Sequence, residues 1–452
     1  MKFGGSSVAD HPAMQRCAKI ISATPRPQVI VISALAGITR QLMRLSYPST
    51  LAPEKTAILQ EIYTRHYGIL AAIEATNKVK QDFNQLFETA QYLTEALEQK
   101  QTPKLLDELL SLGERMATLV FAEVLSKLGM SVQLFDVRQI LRTDSSFGKA
   151  EPNIKAIKAL SAKHLRPCLH QDALIITQGF IGSDAHGNTT ILGKESSDYS
   201  AALLAEALEA HEFKIWTDVA GVYSTDPKLY PEAKPIAHLS FGEALELTTF
   251  GAKVLHARTL QPAIRKNIKC FVGSSIHPGQ GTWINGVGLE EKPAAGVKAI
   301  SLKKHQMLLS LERTYKTPTL NFLESFLETL AQHQLDFDLL TNHALSTTLV
   351  LDDSLVDWHQ KSVLSETLLQ ELTRLGRVEV YKELTLLALV GQEIPTCPRI
   401  KKILSNTLKD LNVHAFYYGT SPYSLCILTE LPDTKIRGLV ARLHKDLIGA
   451  PE

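Results

Sequence analysis

From residue 1 to about 285 the chain alternates short, β-rich apolar runs with longer stretches whose apolar residues recur at spacings of three and four. That alternation restricts this part to an α/β sandwich. Residues 28–33 (Gln-Val-Ile-Val-Ile-Ser) read as a buried strand, and 132–135, 173–178 and 213–217 as further strands. Residues 53–128 are mostly helical, with Leu105, Leu109, Leu112 and Met116 on one face, and helices are expected at 197–210 and 239–250. The stretch 279–296, rich in Gly, Pro, Asn and Lys, reads as a linker. Beyond it the pattern gives strand 299–311, helix 319–333, strands 335–340 and 345–352, helix 357–374 and strand 377–381. A shorter β-α-β-β-α series follows at 384–391, 398–411, 413–418, 423–429 and 432–447. Each series resembles a ferredoxin-like α+β module. The expected division is 1–285, 296–382 and 383–452, the last two forming a regulatory, dimerising or purely structural tail.

A chain of 452 residues exceeds what one hydrophobic core serves, which agrees with that division. Lys and Arg number 48 against 47 Asp and Glu, so nothing draws it generally to nucleic acid or to an anionic membrane. Any anion must be met by a local site. Cys17, Cys168, Cys270, Cys397 and Cys426 are scattered, with no Cys-x-x-Cys pair, and read as reduced thiols. No apolar run approaches the ~20 residues of a membrane span and no signal-peptide core is evident, so a cytoplasmic location is expected.

Five segments have the composition of a ligand site. Lys2-Phe3-Gly4-Gly5-Ser6-Ser7 joins a basic side chain to glycines and hydroxyls, as phosphate-binding loops do, although such a loop also serves simply as a turn. Ser33 to Thr39 runs from a buried strand into small residues, where α/β folds place ligands or an ordinary turn. Glu114, in a helix with a buried apolar face, could hold an ammonium group or lie solvated beside Arg115 or Lys104. Lys194 precedes Ser196, Ser197 and Asp198, which can cap the following helix or share its amino end with an anion. Thr217, Asp218, Tyr223, Lys228 and Lys253 could seat a purine, a ribose and phosphates, or form a turn-rich loop over the core.

Taken together these segments resemble the aspartokinases of the amino-acid kinase family, most closely the monofunctional, lysine-sensitive type. The Lys-Phe-Gly-Gly loop, Phe147-Gly148 with Ala150-Glu151-Pro152, Ile-Thr-Gln-Gly-Phe-Ile-Gly at 176–182, Ser-Asp-Tyr at 197–199, Trp-Thr-Asp-Val at 216–219 and Phe-Gly-Ala-Lys-Val-Leu-His at 250–256 appear in order. The resemblance implies an amino-acid-kinase-type α/β sandwich followed by two ACT modules. It implies phosphoryl transfer from ATP to the side-chain carboxylate of L-aspartate, at the head of lysine, diaminopimelate, threonine and methionine biosynthesis. Lys2 and Asp198 are then catalytic. Ser33, Thr39, Glu114, Lys194 and Ser197 hold aspartate; Lys2, Gly4, Gly5, Ser6, Thr217, Asp218, Tyr223, Lys228 and Lys253 hold ATP. Mg²⁺ enters with the nucleotide, without a metal site of the protein's own. The implied assembly is a homodimer or tetramer built through the ACT modules.

Four departures from the family pattern stand out. The family has about half a dozen residues of core strand before the glycine loop, where only Met1 stands here. Its Gly-Arg-Gly-Gly-Ser-Asp reads Gly193-Lys-Glu-Ser-Ser-Asp198, which trades a bidentate arginine for a lysine and adds the negative Glu195. Lys228 replaces a usual arginine. In the first ACT module Asn321 and Asn342-His343-Ala344 replace effector-site residues while Asp338 remains, so feedback by lysine is expected to be weak or absent. A degenerate, ligand-binding homologue and a kinase of another small amino dicarboxylate are the competing readings.

Overall fold

Why the amino-terminal part forms a sheet is plain in Val29–Ile32: four β-branched residues, buried on both faces, as central parallel strands require. The computed structural model describes all residues except 25–28, 171, 253–254, 287–294, 314–317, 334, 336, 354–363, 410–412, 418–420 and 449–452. It divides into two compact units.

The first unit comprises Met1–Val222, Pro235–Phe241 and Val254–Gly288. Its described strands build an eight-stranded sheet in the order Val132–Phe135, Leu174–Gln178, Val29–Ile32, Lys2–Phe3, Glu212–Thr217, Lys269–Ser274, Gly281–Asn285 and His238–Ser240. Every pairing is parallel except that of Gly281–Asn285 with Lys269–Ser274. Lys2–Phe3 is a strand of only two residues at the sheet's centre, with Lys2 opposite Val31 on one side and Ile215 on the other. Phe3 locks it down, its ring 6.1 Å from Phe121 and 6.4 Å from Trp216. The Met1 ammonium donates to Val29 O at 2.7 Å.

Helix Pro103–Lys127 crosses this core, started by Thr102 accepting from Leu105 N and by proline in the first turn. Leu109, Leu112, Met116 and Val120 are buried, as the three-and-four spacing predicts. Because Lys2–Phe3, Val29–Ile32, Leu174–Gln178 and Glu212–Thr217 run in parallel, their carboxyl ends open onto one edge. The loops that follow them, at 4–7, 33–37, 179–180 and 218 onward, gather there.

The second unit comprises Tyr223–Lys234, Gly242–Lys253 and Leu289–Glu452. Its six strands pair antiparallel in the order Leu339–Asn342, Ser346–Asp352, Gly296–Arg313, Gly376–Gln392, Ser424–Thr429 and Val413–Tyr417. Helices Thr319–Gln332 and Glu366–Leu375 pack with Met307, Leu309, Leu311, Leu349 and Leu351. Helices Pro398–Leu408 and Asp433–Leu447 pack with Val297, Ile300, Leu387, Leu389, Leu425 and Ile427. One sheet thus carries two cores.

Several element boundaries differ from expectation. Gly281–Asn285, within the expected linker, is a strand, because Thr282 and Ile284 are buried in alternation and the segment pairs on both sides. The rest of that linker, 287–294, lies outside the described residues. The expected strands 377–381 and 384–391 are one strand, Gly376–Gln392, with Glu383 left-handed (φ 55°) at the register shift between them. The boundary expected at 382/383 therefore falls inside a strand. Residues 239–250 begin with the end of a short strand, and the helix starts at Phe241.

Candidate active site

Lys2 and Asp198 meet. Lys2 Nζ lies 2.6 Å from Asp198 Oδ1, the two side chains 9% and 16% exposed, in a contact that is an ion pair by distance without hydrogen-bond alignment. The central strand aims Lys2, and helix Ser197–Leu208 carries Asp198 in its first turn. Ser196, expected among the capping candidates, does not cap that helix. Its hydroxyl donates to Gly193 O at 2.7 Å and does not accept from the first-turn N–H groups. An anion is favoured there by the helix end.

The glycine loop is laced to its neighbours through the backbone. Gly4 N donates to Trp216 O (2.9 Å), Ser33 N to Phe3 O (3.2 Å) and Ala36 N to Gly5 O (3.1 Å). A Cβ on Gly5 would stand 2.7 Å from Ala34 O, so only glycine allows these two loops to approach. A Cβ on Gly179 would likewise meet Ser197 Cβ at 2.7 Å, which explains the glycine in the 176–182 segment. Ser7 bonds Ser275 (2.7 Å), and Ser275 N donates to Thr217 O (2.8 Å), which ties the loop to the nucleotide candidates Thr217 and Asp218. The Thr217 hydroxyl donates to Asp218 at 3.0 Å.

Glu114 is not the solvated, Arg115-paired residue that its alternative reading described. It is 3% exposed; its Oε1 accepts from Ala34 N at 3.1 Å, while its Oε2 is buried with no hydrogen-bond partner among the described residues. Burial pushes its carboxyl up to about 8, against the smaller effects of the Ala34 bond and Lys2. Arg115 instead pairs with Glu108 at 3.0 Å.

Of the other expected residues, Ser33 and Thr39 are half-buried on the 33–39 loop and the helix that follows, Ser197 is buried, and Ser6 and Lys194 are exposed. Glu195 sits in the left-handed region (φ 61°) beside Gly193 (φ 97°). The imidazole of His256 is lowered by partial burial and then by Arg258, with Glu195, Lys149 and Asp198 also acting on it, so these charges share one neighbourhood. Tyr223 (half-buried) and Lys228 (exposed) belong to the second unit, where Ser224 bonds His444 at 2.8 Å. Lys253 lies outside the described residues.

Sequence reading missed two features. Arg258 pairs with Glu151 and stands 5.2 Å over the Tyr199 ring, next to Asp198. Asp107, fully buried, accepts from Gly148 N and Ile191 N, and no local pattern in the sequence marks it.

The amino acid kinase family profile matches residues 1–274. The chain is 40% identical to lysine-sensitive aspartokinase 3 of Escherichia coli (strain K12) over 447 residues, 99% of this chain and 98% of that protein. It is 30% identical to an aspartokinase of Chlamydia pneumoniae over 452 residues, 99% and 97% of the two chains. A crystal structure of E. coli aspartokinase III in complex with aspartate and ADP matches with a TM-score of 0.90, covering 99% of this chain and 98% of the other at 40% identity. Among the described residues no helix is long and apolar enough to cross a membrane.

Proposed function

The chain belongs to the aspartokinases of the amino acid kinase family, and on that premise we propose that it transfers the γ-phosphoryl group of ATP to the side-chain carboxylate of L-aspartate, giving ADP and 4-phospho-L-aspartate. The observation that carries this reading is the Lys2–Asp198 pair, at a strand end facing a helix amino end. A carboxylate acceptor is already ionised at neutral pH and needs no general base. Catalysis then rests on position and on neutralising the charge of the transferring group. Lys2 meets the γ-phosphoryl oxygens, and Asp198 holds the ammonium in place until they arrive. Gly4, Gly5 and Ser6 offer donors around the phosphates. Glu114 Oε2 takes the substrate ammonium, Lys194 a substrate carboxylate, and Ser33, Thr39 and Ser197 line the pocket. Thr217 and Asp218 contribute to nucleotide binding, a role that the family resemblance also assigns to Tyr223, Lys228 and Lys253. Mg²⁺ is part of the nucleotide substrate, held by phosphate oxygens and water, where it offsets phosphate charge.

The division into a kinase domain (1–285) and two ACT modules, expected at 296–382 and 383–452 but sharing the strand Gly376–Gln392, belongs to this reading, as does a dimer or tetramer assembled through those modules. Leu320 (79% exposed) and Leu327 (44%), seven residues apart on helix Thr319–Gln332, support such a contact. Five free cysteines support a reducing, cytoplasmic location.

A hydroxamate assay with ATP and aspartate tests the activity. Acyl phosphate is expected; none from folded protein would favour the degenerate homologue that the altered 193–198 loop suggests.

Glu195 pays for a left-handed backbone with about 1 kcal/mol of strain and sets a negative charge beside Lys194. Glu195→Gly is expected to raise the melting temperature by about 2–4 °C and to lower the KM for aspartate by roughly fivefold. An unchanged KM in steady-state assays would separate Glu195 from the substrate.

Lys303 Nζ lies 2.6 Å from Asp338 and 3.3 Å from Asp352, so a side chain of the protein already engages the one effector-site carboxylate retained here. Calorimetric titration with lysine is expected to show binding weaker than about 1 mM, and micromolar saturation would refute this.

A further inference from the structure

Asp107 is a buried carboxylate that the mechanism above does not use. It is 0% exposed, in the second turn of helix Pro103–Lys127. One oxygen, Oδ2, accepts from Gly148 N and from Ile191 N, both at 3.0 Å, while Oδ1 is buried with no hydrogen-bond partner among the described residues. Burial pushes the carboxyl up to about 7 despite those two bonds. Burying such a group is costly, and a single oxygen bonded by two backbone N–H groups fixes both of them at one point.

The two N–H groups belong to segments that border the substrate loop. Ile191 ends the strand Thr189–Ile191, two residues before Gly193 and three before Lys194. Gly148 is left-handed (φ 89°) in the turn that follows Phe147. The segments also bind each other, Ala150 N donating to Ile191 O at 2.9 Å, and the Lys149 side chain runs past Gly193. Seven residues are close to two helical turns, so Asp107 and Glu114 share a face. Glu114 grips Ala34 N in the 33–37 loop as Asp107 grips positions 148 and 191. One helix face therefore registers two loops and the end of the strand Thr189–Ile191.

We propose that Asp107 is a positioning residue for the acceptor substrate, holding the 193–197 loop at the height over helix Pro103–Lys127 that places Lys194 against a substrate carboxylate. This rests on the reading of Lys194 given above.

The test compares Asp107→Asn, whose amide oxygen still accepts from both N–H groups, with Asp107→Ser, whose hydroxyl falls short of them. In steady-state assays the serine variant is expected to raise the KM for aspartate about tenfold, a loss of about 1.4 kcal/mol in binding. Its KM for ATP should stay within about twofold. The asparagine variant should keep the KM for aspartate within about threefold of wild type. Equal rises in both KM values, or no rise in either, would overturn the proposal. So would a serine variant that fails to fold while the asparagine variant folds, because the carboxylate would then serve the fold alone. If neither variant folds, the charge itself is structural and the positioning role is equally overturned. Wild-type protein that forms no acyl phosphate condemns the kinase reading; wild type that turns over, with the serine variant unaffected, condemns only the role of Asp107.

Discussion

Lys2→Met is expected to lower kcat by about three orders of magnitude while leaving the fold and the KM for aspartate nearly unchanged. Methionine has the length to fill the space now occupied by a lysine that is 8% exposed, and the flanking Phe3 keeps its ring contacts with Phe121 and Trp216. What disappears is the positive charge 2.6 Å from Asp198 and, in the proposed mechanism, the counter-charge for the transferring phosphoryl group. Charge that develops only at the transition state is felt in kcat rather than in KM. Lys2→Arg should rescue little, because a planar fork does not replace a compact ammonium that also ends at Asp198. Single-turnover measurements with saturating substrates check this. A kcat within tenfold of wild type would remove Lys2 from the chemistry, whatever its distance from Asp198.

Elements long enough to repeat their period were legible in the sequence; short or interrupted ones were not. Pro103–Lys127 shows its apolar stripe over seven turns. Lys2–Phe3 has two residues, too few for any alternation, and its place at the sheet's centre follows only from pairing with Val31 and Ile215. Gly281–Asn285 hid in a Gly- and Asn-rich stretch because its burial comes from distant partners. Gly376–Gln392 read as two strands because Glu383 breaks its alternation at a bulge that the sheet accommodates. At the site, motif residues with an unusual local composition, such as Lys2 and Asp198, could be named in advance. Asp107 could not, since one aspartate on a helix has the ordinary look of a solvated residue and only the fold brings Gly148 and Ile191 to it. Ser196 failed in the opposite sense: its sequence position fits a cap, but the left-handed Glu195 turns its hydroxyl to Gly193.

Aspartate should bind with release of about one proton at pH 7, and its apparent affinity should rise by up to tenfold per pH unit until about pH 8. The sign follows from Glu114. With its carboxyl at about 8, burial leaves it mostly protonated at pH 7 in the free protein. An ammonium docked on Oε2, which has no hydrogen-bond partner among the described residues, favours the ionised form, so the proton must leave as the substrate enters. Titrations at pH 7 in two buffers of different ionisation enthalpy read the released proton directly. Glu114→Gln should abolish the release and weaken aspartate binding at pH 8 by about 10²–10³-fold. Stability runs the other way through the same window. Because the folded value lies above the ordinary one of 4.5, the stability Glu114 contributes is complete below pH 4.5 and is lost as pH climbs to 8. Ligand-free wild type should therefore be less stable than Glu114→Gln at pH 8, though it binds substrate far better. An ordinary surface glutamate would show neither trend. An affinity that stays flat from pH 6 to 8 would mean that the substrate ammonium rests on some other group.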